Sequence, residues 1–258
     1  MNPIRLLVMM SALVVVSCLG RAQAGRPSIV GGEVKWWMPE IDSKVKSSDD
    51  WVEGTSVSLE ADLHLDSEQD VPYFKVWLGT RDRISFSTFH LDLSGDDFPD
   101  LDVNFGGKTY TTAVELDTKL EAKIYRIAWE RDWGDTGTYR VSSIVGVEVI
   151  EASITLDNSL VGREKAEWSE PTPILGGQAE WRLPFGLGLY GELAGVYVGY
   201  GDFEGGFIEW EVGLKLNLMQ GRFFATAGYR ELTVDVEEDD DKADLSLSGF
   251  VFGAGLSF

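Results

Sequence analysis

The sequence predicts an all-β fold: a closed antiparallel transmembrane β-barrel of ten strands, within a range of eight to twelve. Three observations predict it. The chain ends on a strand that alternates up to an aromatic last residue. Segments of about ten residues carry charges on one face and apolar side chains on the other, and the links between segments are by turns short and long. In the final segment, 243–258, Phe250, Phe252, Ala254, Leu256 and Phe258 share one face, with Ser246 and Ser248 toward its start. Gly249, Val251, Gly253, Gly255 and Ser257 form the other face. Chain ends of water-soluble domains fray at the surface. A barrel needs its last strand to pair with its first and to present apolar groups to lipid.

At the other end, Arg5 precedes an apolar run at 6–19, and Ala22-Gln23-Ala24 follows with small-x-small spacing. This is the layout of a secretory signal peptide, with a run too short to span a bilayer as a helix. Cleavage is expected after Ala24, which makes 1–24 the signal peptide and 25–258 the barrel. A second reading takes Val15-Val16-Ser17-Cys18 as a lipobox that leaves Cys18 lipidated. Cys18 is the single cysteine. Its loss with the leader would leave no thiol, which suits an oxidising compartment.

In chain order, the first wall strand has two candidates. Residues 31–45 carry Val34, Trp36 and Met38 on one face, and residues 56–66 alternate from Val57 to Leu65. Counting both gives eleven strands, and bacterial single-chain barrels have even numbers. We therefore place 31–45 in the wall and read 46–70 as an external loop. Strands follow near 71–80, 83–94, 112–132 and 138–153, with turns at Thr80-Arg81-Asp82 and Gly134-Asp135-Thr136-Gly137. Residues 175–183 point Leu175, Ala179, Trp181 and Leu183 outward, with Gln178, Glu180 and Arg182 inward. Strand 187–201 carries Glu192. Strand 207–219 alternates Ile208, Trp210, Val212, Leu214, Leu216 and Leu218 with Glu209, Glu211, Lys215 and Asn217, and 222–236 carries Arg230. Long external loops are expected at about 46–70, 95–111, 154–170 and 237–244. The last contains the acidic run Glu237, Glu238, Asp239, Asp240 and Asp241.

The order GGEVKWWMPEIDSKV, GTSVSLEADLHL, YFKVWLGTRDRISFSTFHLDLSG, VNFGG, AGYRELTV and FVFGAGLSF resembles a group of uncharacterised small outer-membrane barrels of Gram-negative bacteria. The resemblance implies an eight- to twelve-stranded barrel in the outer membrane and supplies no catalytic residues. The ending also resembles the C-terminal aromatic signal by which such barrels are recognised for assembly. That likeness implies Phe252, Ala254, Leu256 and Phe258 as the signal, and the barrel-assembly machinery as a partner. More loosely, the chain is similar to small barrels that pass or bind hydrophobic compounds.

Charge narrows the partners. The net charge is −21. Without 1–24, which hold Arg5 and Arg21 and no acid, 20 basic residues face 43 acidic ones, or −23. Such a chain repels nucleic acid. Acidic loops keep the surface solvated, and they also suit loosely bound divalent cations at a lipopolysaccharide surface. Outer-membrane lipid and lipopolysaccharide are the expected surroundings, and the protein is expected to be integral to that membrane.

The chemistry-bearing residues are few. His64 sits between Asp62 and Asp66, and His90 alternates with Thr88 and Asp92. Residues two apart on one strand lie about 7 Å apart, beyond direct hydrogen bonding. No His-x-His or Glu-x-x-His pairing occurs, so no metal centre is expected. Gly106-Gly107-Lys108 lacks phosphate-loop spacing. No cofactor and no enzymatic activity are expected. The inward charges Glu180, Arg182, Glu192, Glu209, Glu211, Lys215 and Arg230 should meet in the lumen and fill it, because a ten-stranded barrel is only slightly wider than an eight-stranded one. Trp36, Trp37, Trp129, Trp133, Trp168, Trp181 and Trp210, with Tyr197, Tyr200 and Tyr229, are expected at interfaces or facing lipid. The expectation is a structural or surface-interaction barrel with a filled lumen. The alternatives are a narrow, porin-like channel or conduit for small or hydrophobic solutes and, behind it, a hydrolase at the rim.

Overall fold

The computed structural model describes residues 29–46, 56–58, 60–65, 69–99, 102–105, 108–111, 115–200, 203–238 and 241–258. Residues 1–28, with Cys18 and the segment expected as a signal peptide, and Gly106, Gly107, Asp239 and Asp240, lie outside them. Ten strands make the wall: β1 (Val30–Lys46), β3 (Val71–Gly79), β4 (Asp82–Asp97), β7 (Leu116–Asp135), β8 (Tyr139–Asp157), β9 (Glu164–Arg182), β10 (Leu187–Tyr200), β11 (Phe203–Leu218), β12 (Phe223–Glu238) and β13 (Asp241–Ser257). Three short strands complete the set: β2 (Val57–Ser58) on the end of β1, and the hairpin β5 (Val103–Phe105) with β6 (Lys108–Tyr110). Each wall strand pairs antiparallel with the next. β13 closes the barrel on β1 in unbroken register, from Gly31↔Ser257 to Lys46↔Lys242. Phe258 fastens this seam from beyond the last strand: its N–H donates to Val30 O, and its carbonyl accepts from Val30 N and Ile29 N.

Both ends of the described chain and the turns after β3, β7, β9 and β11 lie at one end of the barrel, here the terminal end. These turns are tight. Gly79 sits at φ +120°, and a Cβ there would lie 2.0 Å from Asp82 O. Phe185 and Gly186 are consecutive left-handed residues (φ 67° and 79°), a pair of positive φ values that suits a tight hairpin between right-twisted strands.

Each strand reverses the meaning of its alternation partway along. On β4, Ile84 and Phe86 point outward near the terminal end, with Arg83, Ser85 and Ser87 inside. Further on, Phe89, Leu91 and Leu93 are buried inside, and His90 and Asp92 face out. β7 does the same, with Tyr125, Ile127 and Trp129 outward against Arg126 and Glu130, then Leu116, Leu120 and Ile124 inward. Lipid favours apolar groups outside and polar groups inside; water beyond the bilayer favours the reverse. The reversal therefore marks where the wall leaves the membrane. The far half of the barrel stands in water around an apolar core.

The same reversal explains where the expected loops and strands differ from the structure. The loop read over 154–170 shrinks to 158–163, because β8 continues inward-apolar through Ile154 and Leu156. The loop at 95–111 begins later, since β4 runs to Asp97, and it contains the β5–β6 hairpin. The loop at 237–244 narrows to a hairpin tip: β12 and β13 stay in register as far as Glu237↔Lys242 and Glu238↔Asp241. Residues 56–66 are not a wall strand. β3 stops at Val71 while β1 and β4 continue, and the described residues 56–58, 60–65, 69 and 70 lie against them there. Ser43 N and Oγ donate to the Glu60 carboxylate, and Asp92 N donates to Gln69 Oε1. Val57, Leu63 and Leu65 are buried in the core; of these only Val57 pairs with the wall, opposite Val45, and the alternation of the other two reports filling.

Candidate functional site in the lumen

The lumen has two storeys. Toward the terminal end, inward positions of adjacent strands place charges within contact distance. Arg126 Nε donates to Glu148 Oε2 at 2.6 Å and Nη2 donates to Glu209 Oε2 at 2.7 Å. Lys35 Nζ donates to Glu211 Oε1 at 2.6 Å, which also accepts from Tyr190 Oη at 2.6 Å. Lys75 lies 2.8 Å from Glu130 and 3.6 Å from Glu192. Arg83 reaches Glu130 at 2.9 Å and Asp132 at 3.3 Å. At the mouth, Lys215 lies 3.3 Å from Glu180, and Arg182 grips Asp135 with two hydrogen bonds of 2.7 and 3.0 Å. Bidentate geometry of this kind is the strong form of the pair.

Arg230 marks the boundary between storeys. Its side chain is 1% exposed and lies 3.0 Å from Glu209. Among the described residues its N–H groups make no hydrogen bond. Three rings enclose the guanidinium instead: Tyr73 at 4.4 Å, Trp37 at 4.9 Å and Phe89 at 5.2 Å. Desolvated cation–π contacts and the adjacent carboxylate offset part of its desolvation. Above it the core is apolar and packed, with Leu91, Leu116, Ile154, Leu156, Leu232 and Leu247 under 2% exposed. The far end is capped by Val57, Leu63, Leu65, Val103 and Tyr110. Burial, with Glu164 and Asp157 nearby, pushes the Tyr110 phenol up to about 12, so it stays a donor to Gly162 O.

The gaps follow this layout. About 80 Å³ remains between the charges around Lys35, Lys75, Glu130 and Glu211, room for a few waters. Below it a vestibule of about 770 Å³ opens at the terminal end, lined by Trp77, Arg83, Arg140, Arg182, Lys215 and Phe224 among others. Chemically the arrangement is a set of mutually neutralised ion pairs.

All seven lumen residues expected from the sequence point inward. Glu209, Glu211 and Arg230 form the centre with Glu192 beside them, and Glu180, Arg182 and Lys215 sit nearer the mouth. The sequence reading missed their partners Lys35, Lys75, Arg83, Arg126, Glu130 and Glu148. Each stands between outward residues, as Arg126 does between Tyr125 and Ile127, a signal the reversal obscured. Trp37 is a correction: expected at an interface or facing lipid, it is fully buried inside, edge-on to Phe89 at 5.7 Å. It belongs to the inward set with Lys35 and Ile41, while Trp36 and Met38 face out. Trp210, Tyr229 and Phe250 do form an outward ring cluster across β11, β12 and β13, with centroids 5.8 and 5.7 Å apart. His90 lies on the outer wall, away from the lumen.

No protein-family model and no curated protein matches the chain. Among solved structures, the outer membrane protease OmpT from Escherichia coli aligns with a TM-score of 0.56 at 9% identity, covering 92% of this chain and 99% of that one. The transport unit of the autotransporter AIDA-I from Escherichia coli gives 0.39 at 9% identity, covering 94% of each chain. The Pseudomonas putida toluene transporter TodX gives 0.35 at 9% identity, covering 90% of each. At these identities the likeness concerns the fold alone: a β-barrel of the outer-membrane kind.

Proposed function

We propose that this protein is an integral bacterial outer-membrane barrel of structural or surface-interaction type, with a lumen filled by its own side chains. The observation that carries the reading is the two-storey lumen. An ionic layer that neutralises itself lies under a packed apolar layer, and neither offers a solute a continuous polar path. The terminal end, with its tight turns, faces the periplasm, and the far half projects outward through the lipopolysaccharide layer. The acidic outer surface suits divalent cations there. Purified protein in planar bilayers is expected to give no unit conductance steps. Reproducible steps would replace this reading with the narrow channel for small or hydrophobic solutes. The reading assigns no catalysis; lipid or peptide hydrolysis lost in His64→Ala or His90→Ala would replace it with a rim hydrolase.

The barrel-assembly machinery is the partner proposed for the terminal strand. Phe258 adds end-of-seam backbone hydrogen bonds and one edge-on ring contact, with Phe223 at 6.5 Å, all at the last position of the sheet, so its deletion should lower refolding from urea into detergent only slightly. The same deletion should sharply lower the amount assembled in cells. Equal assembly of both forms in cells would remove the signal role.

A further inference from the structure

We propose that His90, Asp92 and Glu121 form a binding site for a single divalent transition metal, of the zinc type, on the outer wall. The inference goes beyond the reading above and rests on strand register, so it stands or falls independently of membrane orientation. His90 and Asp92 share the outward face of β4. β4 pairs with β7 in the register Thr88↔Tyr125, His90↔Lys123, Asp92↔Glu121 and Ser94↔Lys119. Glu121 therefore stands directly across from Asp92 and diagonal to His90. Donor atoms of the three side chains all lie within 4.8 Å of one another. Zinc bonds of about 2.0–2.2 Å put neighbouring ligands roughly 3.4 Å apart, a closure within reach of three side chains exposed enough to change rotamer.

The donor set selects the ion. One imidazole with two carboxylates suits zinc and its neighbours, whereas calcium and magnesium take oxygen ligands. A cation already marks the position: the Lys119 ammonium lies 3.0 Å from Glu121 and 3.4 Å from Asp92. Both carboxylates thus converge on one point of positive charge, and a bound metal would displace Lys119 from it. The site begins two residue pairs beyond Tyr125, at His90↔Lys123, and ends at Asp92↔Glu121, past the apolar band of Phe86 and Ile127. With three protein ligands, its outer side stays open to water or a phosphate oxygen.

The background is low, since His64 is the one other histidine in the sequence. Zinc binding to folded, detergent-solubilised protein, followed by isothermal titration with calcium and magnesium in excess, tests the site. We expect one equivalent bound and no change in His64→Ala. In His90→Ala the affinity should fall roughly tenfold or more, at least what loss of an outer-shell partner costs. Lys119→Met should bind about two- to fivefold tighter, the worth of an exposed ion pair. All three variants alter exposed or loop side chains, and the heat-shifted gel band checks that each is folded. Absence of saturable binding, equal binding by His90→Ala, or an affinity that Lys119→Met leaves unchanged or lowers would overturn the site.

Discussion

Replacing Arg126 by alanine should destabilise the barrel by about 3–5 kcal/mol, the cost of breaking a buried ion pair from one side. Arg126 is the hub of the ionic storey. Its guanidinium joins Glu148 and Glu209, whose side chains are 0% and 6% exposed. Without it Glu148 loses its cation, while Glu209 keeps Arg230 at 3.0 Å. Glu148 Oε1 already lacks a hydrogen-bond partner among the described residues, so no local donor is ready to replace the arginine. The double variant Arg126→Ala/Glu148→Gln should recover part of the loss, because it removes the stranded charge along with its partner. Guanidinium unfolding of the refolded protein, read through its nine tryptophans, measures both. An unchanged midpoint in Arg126→Ala would mean that water fills the lumen and screens the carboxylates, and the filled-lumen reading would fail with it.

Gly249→Val should have the larger effect on assembly: failure of the barrel to close. Gly249 faces Pro39 across the β13–β1 seam. Proline has no N–H to give the ladder, and here the strands approach closely. A Cβ on Gly249 would lie 2.0 Å from Met38 O and 2.8 Å from Pro39 Cα. Both obstacles are backbone, and no rotamer change relieves them. The cost sits at or above the ~3 kcal/mol upper end of overpacking penalties, placed on the one pairing that joins the two ends of the sheet. Gly253→Ala is the control. Its Cβ would meet Thr226 Oγ1 at 2.5 Å and Lys35 Cγ at 2.8 Å, side-chain atoms that can yield. On unheated gels Gly249→Val should lose the folded band and Gly253→Ala should keep it. Equal folding of the two would show that the seam has slack at Pro39.

Much of the wall was legible beforehand, and the reason is local. In the terminal-end parts of β9 to β13, outward Leu175, Ile208, Val212 and Phe250 alternate with inward Glu180, Glu209 and Arg230. A period of two with charges on one face identifies such strands directly. In the earlier strands the reversal falls inside the segments read as strands, so the apolar residues change sides within each. The strand expected over 83–94 is part of one continuous strand, β4, whose outward set changes along it from Ile84 and Phe86 to His90 and Asp92. Trp37 shows the consequence: Trp36 faces out, so its neighbour on the same alternating strand faces in, where the apolar core receives it.

By itself the sequence determined the class of fold, the evenness of the strand count and the inward direction of Glu180, Arg182, Glu192, Glu209, Glu211, Lys215 and Arg230. These follow from alternation, a property of each strand alone. Only the tertiary structure decided which charge meets which, that Arg230 lies among Tyr73, Trp37 and Phe89, and that Glu121 stands across from Asp92. Those facts depend on register between strands distant in the chain. Register is set when the whole sheet closes, with Phe258 bound back to Val30.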